Sequence, residues 1–214
     1  MGSLARQALR LIVTSALYGF CIGSVHSLTF ALRNLLKFPL LILGTAAVCS
    51  LACYLTSRAI TRALDFRAVL GAVLGLFAQT STLLASLGPV MLFLAQTIQD
   101  PDETGLGDYP LFLATHVIFV ASCGSLALIR CTRGLSHRFA LPAGRARLLM
   151  ASWMALCLLV GSQFSWYLRP FCGVRTVQAP FFLGAEPDFR GATSFFEAIG
   201  DLVDPPPGRI EAAR

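Results

Sequence analysis

Long stretches of this sequence carry no charge. Only 13% of residues are Asp, Glu, Lys or Arg and three are His, whereas 56% are hydrophobic and the mean hydropathy is +0.70. That balance lies outside the range of soluble domains, and the apolar runs are long enough to cross lipid. No Asp, Glu or Lys is expected within the hydrocarbon part of any run. Ion- and proton-coupled pumps need a chain of charges at membrane depth, so this scarcity argues against them. No His-Glu-x-x-His and no paired His and carboxylate occurs, which argues against a metal-dependent membrane hydrolase. His26 and His116 each stand alone in or near a span, where a hydrogen bond to a neighbouring helix is the expected use. The net charge of +6 is spread through short loops with no basic stripe between exposed aromatics, so no nucleic-acid partner is expected.

Seven cysteines make an odd count, and five of them (Cys21, Cys49, Cys53, Cys123 and Cys157) lie inside apolar runs. There Cys acts as a small hydrophobe. Cys49 and Cys53 share a helix face, but no His or carboxylate stands near them to complete a metal set. Cys172 has no evident partner. The acidic stretch from Asp100 to Asp108 lacks the Asp-x-Asp-x-Asp-Gly register of a calcium loop and reads as a solvated hairpin loop. No metal, no cofactor and no catalytic residue is expected.

What is present is a series of apolar segments, which reads as an all-α polytopic transmembrane helix bundle of five spans. Residues 1–173 would form the bundle, and 174–214 an extracytoplasmic amphipathic segment with a flexible tail. The first span runs from Leu11 to Leu32, without the cleavage site of a signal peptide. Gly19 and Gly23 in it form a G-x-x-x-G, a spacing that lets a second helix come close. Pro39 follows Arg33, Asn34 and Lys37 and marks a break before the second span, Leu40 to Ser57. The third segment, Ala68 to Gln99, would measure about 48 Å as one helix, and Gly88-Pro89 is its natural kink. Pro110 opens the fourth span, to Ile129, and Leu148 to Leu168 is the fifth. Beyond it, Ser194 to Val203 reads as a surface-lying helix, and Pro205-Pro206-Pro207 as the start of the tail.

Five spans with the N-terminus inside give a charge ledger. The inner side holds Arg6, Arg10, Arg58, Arg62, Arg67, Arg130, Arg133, Arg138, Arg145 and Arg147 against Asp65, ten minus one, or +9. The outer side holds seven cations against ten acids, or −3. This asymmetry fits the positive-inside rule and places the C-terminus outside. Two outer cations, Arg33 and Lys37, run against it.

Two groups of polar residues stand out. Gln79, Thr82 and Ser86 share one face of the third span at three- and four-residue spacing, suited to hydrogen-bonding a neighbouring helix or, in a ring of subunits, to lining a path. At the end of the fifth span come Gln163, Trp166, Tyr167, Arg169 and Pro170. The aromatics suit a membrane interface, the arginine can snorkel to phosphates, and the proline stops the helix. Arg169 with Arg33 and Lys37 would make an outer basic cluster for a lipid headgroup or an acidic partner, with Gln163 and Trp166 beside it.

Two segments, YGFCIGSVHS…LKFPLLILGT (Tyr18 to Thr45) and VGSQFSWYLRPFCG (Val160 to Gly173), resemble a family of small bacterial multi-spanning membrane proteins of undefined function. The resemblance implies that Lys37, Pro39, Gln163, Trp166, Arg169 and Pro170 are shared pattern positions. It implies no activity, and Cys172 and the tail depart from the pattern. The two segments are expected to meet on one outer rim. The expected function is a non-catalytic scaffold or accessory subunit in a bacterial inner membrane, with lipids and other membrane subunits, or further copies of itself, as partners. The alternatives are an oligomeric channel or transporter lined by the third span, and a lipid-binding or lipid-modifying protein.

Overall fold

The computed structural model describes residues 3–24, 27–97 and 109–168, and those residues form six helices: α1 (Ser3–Gly23), α2 (Leu28–Ile60), α3 (Phe66–Ser86), α4 (Gly88–Thr97), α5 (Tyr109–Arg138) and α6 (Ala143–Leu168). By length and composition α2, α3, the Ala114–Arg138 part of α5, and α6 are able to cross a membrane. The described residues thus form an all-helical bundle of the multi-pass membrane type. α1 falls short of the other four. Arg6, Gln7 and Arg10 occupy its first turns, and its apolar part from Leu11 to Gly23 covers about 20 Å of a core ~30 Å thick.

The first two spans differ from the expected boundaries. The break does not fall at Pro39: α1 ends at Gly23, α2 starts at Leu28, and α2 runs unbroken through Pro39. Ser27 explains where the helix starts. Its backbone is extended (φ −170°, ψ 163°) and its hydroxyl accepts from Phe30 N at 3.3 Å, the geometry of an N-cap. Pro39 removes the bond that would reach Leu35 O, yet the proline is buried, and packing around it offsets the loss. Neighbouring Phe38 meets the Tyr18 ring edge-on at 5.7 Å and the His116 ring at 6.2 Å. Arg33, Asn34 and Lys37 therefore lie on a helix rather than in a loop.

The third segment is divided where Gly88-Pro89 predicts. Leu87 ends α3, and its carbonyl accepts from Val90 N and Met91 N as α4 begins. The basic loops are largely helical extensions. Arg130, Arg133, His137 and Arg138 lie on α5, and Arg145 and Arg147 open α6. The turn between these helices carries Ala140 at φ 46°.

Side-chain pairings fix the helix directions. A Cβ on Gly19 would lie 2.5 Å from Asn34 O, and one on Gly23 2.7 Å from Ala31 Cα, so α1 and α2 form a tight antiparallel hairpin across the G-x-x-x-G. α1 runs parallel to α3, with Leu4 at Gly71, Gln7 at Gly75 and Arg10 at Thr82. α5 is antiparallel to α3, since Cys131 Sγ lies 3.3 Å from Ala72 O while His116 reaches Tyr18. α6 is antiparallel to α2, with Trp153 Nε1 donating to Ser57 Oγ at 3.1 Å and Phe164 over Gly44. Two clusters fill the interior: one around Cys49, Cys53, Val73 and Trp153, the other around Tyr18, Ile22, Phe38 and Met91. The starts of α1, α3 and α6 and the ends of α2 and α5 share one end of the bundle. Arg6, Arg58, Arg62, Arg67, Arg138, Arg145 and Arg147 gather there.

Candidate functional site

At that basic end a groove of about 870 Å³ opens between α1, α3 and α5. Small residues make the room. Gly71, Ala72 and Gly75 form part of the α3 wall, and the tips of Leu4 and Gln7 stand 3.6 and 3.4 Å from where a Cβ on Gly71 and Gly75 would be. On α5, Gly134 faces open space, because a Cβ there would meet nothing within 4 Å.

The groove is cationic. Among the described residues, Arg67, Arg130 and Arg138 line it with one acid, Asp65, three minus one leaving +2. The Asp65 carboxylate is engaged as the cap of α3, accepting from Ala68 N at 3.3 Å. Gln79 lines the inner part, together with Gln7, whose Oε1 is buried and accepts no hydrogen bond among the described residues. One turn beyond Gln79, Arg10 Nε donates to Thr82 Oγ1 at 2.9 Å. Such a setting can bind an anion and orient neutral hydroxyl or amide groups beside it.

Of the third-span face, Gln79 lines this groove, Thr82 holds Arg10, and Ser86 is exposed with its hydroxyl donating to Leu83 O at 2.6 Å. The three residues thus have different surroundings. The described members of the second group lie on α2 and α6. Arg33 is half-buried, its guanidinium 5.6 Å above the Phe30 ring. Lys37 is 1% exposed, a lysine inside a helix that the sequence places in an outer loop. Asn34, fully buried one turn earlier, shares that interior. Gln163 and Trp166 lie half-buried on α6, and Gln163 Oε1 is buried without a donor among the described residues. Arg169, Pro170, Cys172, His26, the acidic stretch from Asp100 to Asp108, the 194–203 segment and the tail lie outside the described residues.

The two segments picked out by the sequence do meet at one level, with Phe164 against Gly44 and Gly161 against Thr45. The contact is apolar and lies inward of Arg33 and Lys37. His116 pairs as expected with a neighbouring helix: its Nδ1 lies 3.1 Å from Tyr18 Oη, with the rings stacked at 5.8 Å.

Sequence reasoning passed over Gln7 and Gly134, and met Arg67, Arg130 and Arg138 only in the charge ledger. A signal for the groove was available in Gly71 and Gly75, four apart on α3 like Gly19 and Gly23 on α1. Which of two such pairs closes and which stays open depends on what stands opposite, and one chain of letters does not give that. No known protein family, no curated protein and no solved structure matches this chain.

Proposed function

We propose that the chain is a non-catalytic scaffold or accessory subunit of a membrane assembly. It would cross a bacterial inner membrane five times, with its N-terminus in the cytoplasm and its C-terminus outside. The observation behind the scaffold reading is the uneven cover of the helices. The bundle buries 39% and 33% of the apolar windows of α2 and α3, but only 17% and 11% of those of α5 and α6. α6 buries only Leu149 and Trp153 fully. The uncovered faces carry small side chains, Ala121 and Ser122 on α5 and Ala151 and Ala155 on α6, which suit close approach by another helix. The orientation is supported by the arginines gathered at one end, with α1 as the fifth crossing despite its short apolar part.

Purification from native membranes in mild detergent tests the role. A co-purifying membrane subunit or a homo-oligomer is expected. It should be lost with Ala121→Trp or Ala155→Trp and kept with Leu51→Trp on the exposed face of α2. Recovery of a lone monomer refutes the scaffold. A reporter fused after Arg214 is expected to be active outside the cytoplasm; activity inside overturns the orientation.

A further inference from the structure

We propose that the groove between α1, α3 and α5 binds the headgroup of an anionic phospholipid that carries free hydroxyls. Its phosphate would lie among Arg67, Arg130 and Arg138, and its hydroxyls against Gln7. The inference rests on the chain's place in a membrane and not on its role as a scaffold.

Charge selects the anion. The lining is net positive, and its single carboxylate is already engaged by the start of α3. Arginine suits this work because its planar fork matches phosphate oxygens. The pairing of Cys131 with Ala72 places Arg130 within about one turn of the level of Gly75 and Gln7, whereas Arg67 and Arg138 stand nearer the helix ends. The cations thus form a ladder along the groove and not a ring on its lip.

Gln7 selects the hydroxyl. Its Oε1 is a buried acceptor with no donor among the described residues, and a buried amide left so is costly. Phosphate oxygens at neutral pH supply acceptors, while a glycerol or inositol hydroxyl supplies the missing donor. A choline headgroup offers neither net negative charge nor a hydroxyl. The apolar part of the same ligand has its own wall. Leu135 is 7% exposed and Phe139 half-buried in the lining, and the Arg138 guanidinium lies 5.6 Å over the Phe139 ring. A volume of about 870 Å³ holds a headgroup with the first carbons of its chains. A lipid also fits the place, at the end where the helices start and stop.

The test uses the full chain in neutral detergent with added phosphatidylglycerol or phosphatidylcholine, reading the thermal unfolding midpoint and the bound lipid by mass. Phosphatidylglycerol is expected to raise the midpoint and remain bound, and phosphatidylcholine to do neither. The Arg67→Gln/Arg130→Gln double variant should weaken phosphatidylglycerol binding roughly thirtyfold, about fivefold for each cation. Gly134→Phe, which projects into open space, should abolish binding while the lipid-free midpoint stays unchanged or rises. If Gly134→Phe does not fold, the exposed arginine pair still decides. Equal response to both lipids, or unaltered binding by the double variant, overturns the proposal. Inorganic phosphate at millimolar concentration giving the same shift, or displacing the lipid, also overturns it and assigns the groove to a soluble anion.

Discussion

Gly19→Ala places a methyl group where α1 and α2 leave no space for one. The new Cβ would lie 2.5 Å from Asn34 O and 2.7 Å from Phe38 Cβ. Ordinary contact begins near 3.4 Å, so the helices must separate locally by roughly 0.7–0.9 Å. Neither obstacle can swing aside, one being backbone and the other the first side-chain carbon of a buried phenylalanine. The separation would spread, because Tyr18 beside Gly19 packs on Phe38 and bonds to His116 at 3.1 Å. Overpacking of this kind costs about 1–3 kcal/mol. Alanine's better helix propensity, worth up to about 1 kcal/mol in water, offsets little here, because helices separated within a membrane remain helical. A net loss of about 1–2 kcal/mol follows.

Gly23→Ala meets Ala31 Cα and Phe30 O, both at 2.7 Å, and should cost a similar amount. The double variant should cost less than the sum, since one separation relieves both clashes. Gly124→Ala and Gly134→Ala are the controls, with nothing within 4 Å of the new atom at either site; both should lie within about 0.5 kcal/mol of the parent. The measurement is reversible unfolding in mixed micelles with a rising fraction of denaturing detergent, followed by far-UV circular dichroism. If Gly19→Ala and Gly124→Ala shift the midpoint alike, the close α1–α2 hairpin is refuted.

Trp153 is fully buried and donates to Ser57 Oγ at 3.1 Å. Trp153→Ala should cost about 3–5 kcal/mol in the same micelle assay, and Trp153→Phe nearer ~1 kcal/mol for the lost donor; an alanine variant as stable as its parent would remove α6 from this contact. Lys37, the sole lysine of the chain, is 1% exposed. An amine-reactive reagent should leave Lys37 unmodified in the folded protein and modify it after denaturation, read by peptide mass. Labelling in the folded state would return it to the exposed loop that the sequence suggests.

Hydropathy made the helical class and the later apolar helices legible, because lipid imposes apolar runs of fixed length whatever the packing, and the proline made the division at Gly88-Pro89 legible. It failed at the first hairpin, where the competing signals were local. Pro39 is the stronger helix breaker on paper, and a serine cap at Ser27 is the weaker mark. The packing of Phe38 between α1 and α5 lets the helix continue through the proline. That displacement carries Lys37 from an expected rim into the interior. The polar face of α3 was readable as a stripe, but its partner was not. Arg10 belongs to a charge count in the sequence and to a hydrogen bond with Thr82 in the fold.

The groove follows from the same hairpin. At its far end α1 is held against the α2 backbone, since Gly19 and Gly23 face Asn34 O and Ala31 Cα at 2.5 and 2.7 Å. At the basic end its neighbours are Gly71 and Gly75 of α3, reached only by the movable tips of Leu4 and Gln7. Small residues of α3 facing α1 there leave space between the helices, and α5 does not close it at Gly134, which presents no side chain. Water or lipid must fill a space bounded by Arg67, Arg130, Arg138 and the Gln7 oxygen, which has no donor among the described residues. Filling it with protein instead, by Gly71→Leu or Gly75→Leu, would press on α1 from the α3 side. The contact at Gly19 would then resist, so the hairpin and the groove are two consequences of one placement of α1.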